Sequence, residues 1–103
     1  MRRGEVWWHE PREEKIRPVV ILTRNEAIGR LNKLVVAPAT GRIRGLPSEV
    51  EVSRKEGLPH DSVINLDNTA LARKFELTER ITELGAAKMD AVCRALVVAT
   101  GCG

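Results

Sequence analysis

The sequence predicts an α+β fold: a curled antiparallel sheet with one C-terminal helix packed against it. Two observations carry that expectation. Short strand-like runs, apolar or alternating, are separated by tight turns from Gly4 to Leu84. After Gly85 the apolar period changes, and Met89, Val92, Cys93, Leu96 and Val97 fall on one helical face that ends near Gly101. With 103 residues, the expectation is one domain over residues 1–103. A chain this short buries roughly 65% of its surface on folding, so pairing with a second copy is a natural way to gain core.

In order, Gly4 opens a short aromatic strand, Glu5-Val6-Trp7-Trp8. Glu10 to Lys15 is charged and contains Pro11, and it reads as a loop. Pro18-Val19-Val20-Ile21-Leu22 is continuously apolar and rich in β-branched residues, a strand buried on both faces. Pro18 fits only at its first position. Asn25 to Asn32 is expected to hold a short helical turn capped by Thr23 or Asn25. Leu34-Val35-Val36-Ala37 is a further strand, expected to stop at Pro38.

Gly41 to Pro47 reads as a basic loop punctuated by glycine. Glu49-Val50-Glu51-Val52 alternates polar and apolar, the mark of a strand with one wet face. Gly57 to Asp61 forms a turn cluster before the strand Ser62 to Leu66, and Glu79 to Leu84 suits a final short strand.

Lys+Arg 17 against Asp+Glu 14 gives a net charge of +3. That balance permits a polyanionic partner without demanding one. Cys93 and Cys102 make neither a disulfide framework nor a metal-ligand spacing. No apolar leader precedes the first strand, and no run approaches the roughly 18 apolar residues of a membrane span. The chain therefore reads as cytoplasmic, without a membrane partner.

Residues that could carry chemistry are few. Arg17 stands directly before Pro18 and the most apolar strand, and Pro18 biases it toward an extended conformation. A guanidinium at that rim could hold a phosphate bidentately. Thr40 ends the next strand, with Arg42 and Arg44 close behind in a glycine-bounded loop. A hydroxyl beside two guanidinium groups can position a phosphate oxygen or a ribose hydroxyl. His9 and His60 each sit beside a turn or loop without a visible partner and read as surface or hydrogen-bonded histidines. Trp7 and Trp8 point to opposite faces of a strand, so one at least faces a core.

These pieces occur in a recognisable order: Arg3-Gly4-Glu5-Val6-Trp7, Arg17-Pro18-Val19-Val20-Ile21-Leu22, Val36-Ala37-Pro38-Ala39-Thr40, Arg44-Gly45-Leu46-Pro47-Ser48-Glu49-Val50 and Gly57-Leu58-Pro59-His60-Asp61-Ser62-Val63. Together they resemble the MazF/PemK family of toxin–antitoxin ribonucleases over essentially the whole chain. The resemblance implies a small SH3-like barrel with helices, dimerised so that single-stranded RNA lies across both subunits. It implies cleavage without metal or other cofactor, by attack of a ribose 2′-hydroxyl to leave a 2′,3′-cyclic phosphate and a 5′-hydroxyl. The family's catalytic arginine and threonine match Arg17 and Thr40. Lys15, Asn25, Arg42, Arg44 and Asn68 are then expected to contact RNA. A cognate antitoxin with a disordered, acidic and apolar inhibitory segment is the implied protein partner.

Some positions depart from the family's pattern. The loop before Arg17 is short and acidic (Glu10, Glu13, Glu14), Thr69 to Phe75 lacks a familiar valine-proline pattern, and Cys102 is unusual. Two other classes share the scaffold: a CcdB-like inhibitor of DNA gyrase and a catalytically silent RNA-binding module. The CcdB-like resemblance is weaker, because Ala99-Thr100-Gly101-Cys102-Gly103 has no aromatic residue.

Overall fold

The computed structural model describes residues 1–102. Its strands are β1 (Glu5–His9), β2 (Arg17–Ile21), β3 (Lys33–Thr40), β4 (Glu49–Val52), β5 (Ser62–Asn65), β6 (Ala70–Arg73) and β7 (Leu77–Glu83). Helix α1 spans Asn25–Ile28 and helix α2 spans Ala86–Thr100. The strands form one seven-stranded sheet in the order β4-β5-β3-β2-β1-β7, with β6 also paired to β3. Every pairing is antiparallel.

Strand β3 organises the curl. Along one edge it pairs β2 through Val19↔Pro38, Val20↔Ala37 and Ile21↔Val36. Along the other it pairs β6 from Lys33 to Val36, and then β5 at Ala39 and Thr40. Pro38 does not stop the strand, contrary to the sequence expectation. It falls where β3 has left β6 and not yet met β5, so its missing N–H interrupts neither of those ladders. The sheet path has two ends rather than a closed ladder. There the Thr82 hydroxyl of β7 donates to the Glu56 carbonyl, in the turn after β4, at 2.8 Å. Gly57 makes that approach possible: its φ is +96°, and a Cβ there would lie 2.5 Å from Thr82 Oγ1.

Alternate residues of β2 and β3 feed two cores. Val20, Leu22, Ala37, Ala39, Val6 and Ile64 pack on one side with Val92 and Ala95 of α2. Val19, Ile21, Leu34, Val36, Ala72 and Leu77 pack on the other, with Trp7 against them. Strand β2 is thus buried on both faces, as its unbroken apolar run requires. Each buried Val, Ile or Leu contributes about 1.5–3 kcal/mol of transfer free energy. Helix α2 buries Val92 and Ala95 and packs the partly buried Met89, Leu96 and Ala99 around them, so its inward stripe is rotated from the expected one and Val97 stays 42% exposed. Gly101 ends it at φ +69°, its N–H donating to the Val97 carbonyl at 2.8 Å.

Near α1 the expected caps do other work. The Thr23 hydroxyl accepts from the Val35 N–H and the Asn25 carboxamide oxygen accepts from the Arg3 N–H, each at 2.7 Å. Residue Arg24 holds the cap position without a side-chain bond. Among the described residues no helix is long and apolar enough to cross a membrane.

Candidate active site

The site begins with strand register. On β1 and β2, His9 pairs Arg17 and Trp8 pairs Pro18. On β2 and β3 the register runs through Val19↔Pro38, and carried two residues further it sets Arg17 opposite Thr40. Directly opposed residues of antiparallel strands share a face. Arg17 and Thr40 line one cleft of ≈ 280 Å³, together with Trp8, Lys15 and His60. Arg17 and Lys15 also line a second cleft of ≈ 210 Å³, which His9 and Asn68 border. A half-buried guanidinium and an exposed ammonium therefore stand between two hollows at the sheet rim.

The surroundings leave those cations available to an anion. Among the described residues neither Lys15 nor Arg17 has a carboxylate within ion-pair distance. Their loop is tied down instead through Glu10, whose N–H donates to the Glu76 carbonyl at 2.8 Å and whose carboxylate accepts from the Thr78 hydroxyl. The Thr40 hydroxyl oxygen accepts from the Arg42 N–H at 3.2 Å. Its own proton can therefore be donated into the cleft.

Arg42 and Arg44 lie exposed on the loop after Thr40. Glu49 pins that loop: one carboxylate oxygen accepts from the N–H groups of Arg44, Gly45 and Leu46 at 3.1, 2.9 and 3.3 Å. Neither arginine lines the two clefts. Asn68 is brought in by the helical turn Leu66–Asn68 that follows β5. Asn25 is not brought to the site. It borders a different hollow beside Met1, Ile28 and Lys74, and its carboxamide is engaged by Arg3. Within one chain Asn25 therefore stands apart from Arg17, Thr40, Lys15 and Asn68.

His9 is a hydrogen-bonded histidine, with Nε2 3.1 Å from Glu76 Oε1. That contact, with the Arg73 N–H, holds the Glu76 carboxyl below the usual carboxylate range. His60 and Trp8 are the site residues that sequence reading did not assign. No local pattern marks them; the β3–β5 pairing Thr40↔Val63 draws in the turn that carries His60. Among the described residues, no group of three His, Cys, Asp or Glu side chains is placed to hold a metal ion.

Fold and site define a small α+β protein whose curled sheet ends in a cleft lined by a guanidinium, an ammonium and a hydroxyl. The family model of PemK-like, MazF-like toxins of type II toxin–antitoxin systems matches residues 2–99. The chain belongs to that family. It is 45% identical over 101 residues to the probable endoribonuclease MazF5 of Mycobacterium tuberculosis, an alignment covering 97% of this chain and 93% of that one. Among solved structures it resembles the M. tuberculosis toxin MazF-mt6, with 34% identity and a TM-score of 0.87 over 94% of this chain and 96% of the other. A mycobacterial endoribonuclease solved with its cognate antitoxin shares the fold at a TM-score of 0.91, with 24% identity and coverage of 100% and 97%.

Proposed function

We propose that this chain is the cytoplasmic endoribonuclease toxin of a type II toxin–antitoxin pair, acting as one domain over residues 1–103 and cleaving single-stranded RNA without metal. The observation that carries the reading is the meeting of Arg17 and Thr40, from separate strands, on one cleft. Attack of a ribose 2′-hydroxyl on the adjacent phosphate concentrates charge on the phosphorane oxygens. A guanidinium fixed at the start of β2 stabilises that charge and donates hydrogen bonds to it. Thr40 donates to a non-bridging oxygen or orients the nucleophile, and the 5′-oxygen leaves to give a 2′,3′-cyclic phosphate and a 5′-hydroxyl. Lys15 and Asn68 border the clefts and hold the flanking backbone, while Arg42 and Arg44 extend the cationic track.

A second copy of the chain completes the reading. An apolar hollow of ≈ 640 Å³ is lined by Leu22, Leu31, Val35, Leu71 and Leu96, with Arg24 and Lys33 at its edge, and Leu71 is 63% exposed. A face of that composition favours burial in a homodimer. The cognate antitoxin would cover the cationic track with a disordered segment rich in acidic and apolar residues. Incubating the purified protein with single-stranded RNA in EDTA tests the activity: cleavage is expected, and intact RNA contradicts the reading.

A further inference from the structure

Cleavage by a 2′-hydroxyl requires that its proton leave, and neither Arg17 nor Thr40 is suited to take it. A guanidinium stays protonated at any physiological pH and has no lone pair to offer. A threonine hydroxyl is a poor proton acceptor until something deprotonates it. We infer that His60 is the proton acceptor of this site, a role that rests on the ribonuclease reading above.

The inference stands on position and elimination. His60 lines the same ≈ 280 Å³ cleft as Arg17 and Thr40. The remaining lining groups are Trp8, Lys15, Ile16, Pro18, Ala39 and Gly41, none of which exchanges a proton near neutrality. Imidazole does. His9, the other histidine, and the Glu14 carboxylate border the neighbouring cleft rather than the one that holds Thr40, and His9 is committed to Glu76 at 3.1 Å. His60 is exposed, and its backbone rather than its ring is fixed. The Ser62 hydroxyl donates to the His60 carbonyl at 3.1 Å, and Arg54 Nε donates to the Pro59 carbonyl at 3.3 Å. The turn is held while the ring remains available to substrate.

The step balances without a co-reactant. As the 2′-oxygen bonds to phosphorus and the bond to the 5′-oxygen breaks, the 2′-hydroxyl proton passes to the unprotonated ring nitrogen of His60. The 5′-oxygen leaves with a proton from water, and the imidazolium returns its proton to solvent. The charged groups around the ring are Lys15 and Arg17 across the cleft, Asp61 beside it in the chain and Arg54 behind the turn. The two cations lining the cleft stabilise the alkoxide that forms.

Initial rates on single-stranded RNA in EDTA, for wild type, His60→Gln and Arg17→Ala across pH 5 to 9, test the role. His60→Gln should lower kcat by about 100- to 10000-fold, flatten the acid side of the pH profile and leave KM within about twofold. Free imidazole should restore activity to His60→Ala, a rescue that a merely structural residue would not show. The assignment is overturned by a His60→Gln kcat within about threefold of wild type, or by a raised KM alone, which marks a binding contact. Activity lost in Arg17→Ala but retained in His60→Gln removes only the histidine role. No cleavage by wild type removes the ribonuclease reading and this role together.

Discussion

Arg17 and Thr40 line one cleft at the rim of the sheet, just beyond the Val19↔Pro38 pair that ends the β2–β3 ladder. Each is fixed by a strand, which is where a catalytic group keeps its geometry. Arg17→Ala is expected to lower the cleavage rate about 100- to 1000-fold with the fold intact, the usual loss on removing one charge-stabilising donor. Thr40→Ala should lose less. Rate measurements alongside circular dichroism check both, and a near wild-type rate would remove the residue concerned from the site.

Asn25 and Asn68 should separate cleanly. Asn68 borders the cleft beside Arg17, whereas Asn25 accepts from the Arg3 N–H at 2.7 Å on another part of the surface. Asn68→Ala is expected to weaken RNA binding without much effect on stability. Asn25→Ala is expected to leave RNA affinity unchanged and to destabilise the fold by about 1 kcal/mol, the net worth of one hydrogen bond. Titration with a 2′-deoxy oligonucleotide, paired with denaturant unfolding, distinguishes the two.

Salt should reveal the cationic track. Each phosphate contact to a single strand contributes a slope of about −0.7 in log K against log salt. Removing Arg42 or Arg44 should make the slope shallower by about that amount, and removing Arg24, outside the two clefts, should not. The antitoxin segment should compete with RNA for the same residues, and both should weaken as salt rises. A stable ternary complex with undiminished RNA affinity would place inhibition elsewhere.

Acid stability should depend on the His9–Glu76 contact. The folded state holds the Glu76 carboxyl below its ordinary value, chiefly through His9 and then the Arg73 N–H. A depressed carboxyl contributes stability that is present above its unfolded-state pKa and is lost as pH falls through the folded value. His9→Ala should raise the Glu76 pKa toward 4.5, the ordinary value. With folded and unfolded values brought together, the share of Glu76 in acid unfolding shrinks. Carboxyl titration by NMR checks the shift, and an unmoved Glu76 would contradict it.

Strands β2, β4 and β5 and helix α2 were legible because their apolar periods are strong and their turns are marked by Gly and Pro. Strand β6 was not, since Ala70-Leu71-Ala72-Arg73 has neither β-branched nor aromatic residues and buries only Ala72. Its conformation is imposed by pairing with β3, as at Leu34↔Ala72. Pro38 misled for a related reason: whether a strand tolerates proline depends on which neighbour lies beside it, and that is a tertiary fact. The site divides the same way. Arg17 and Thr40 sit at strand ends that the sequence itself marks, while Trp8 and His60 reach the cleft only through long-range pairing. Asn25 stands at a helix start, yet its side chain is taken by the Arg3 N–H, 22 residues away in sequence, a pairing that no local pattern reveals.

The meeting of Arg17 and Thr40 as a phosphodiester-cleaving site is tested most directly by end-group analysis of RNA exposed to wild type and to Arg17→Ala in EDTA. Wild type is expected to leave 2′,3′-cyclic phosphate and 5′-hydroxyl ends, and Arg17→Ala to leave the RNA essentially intact. Products bearing 5′-phosphate ends, or equal cleavage by the two proteins, would contradict the site.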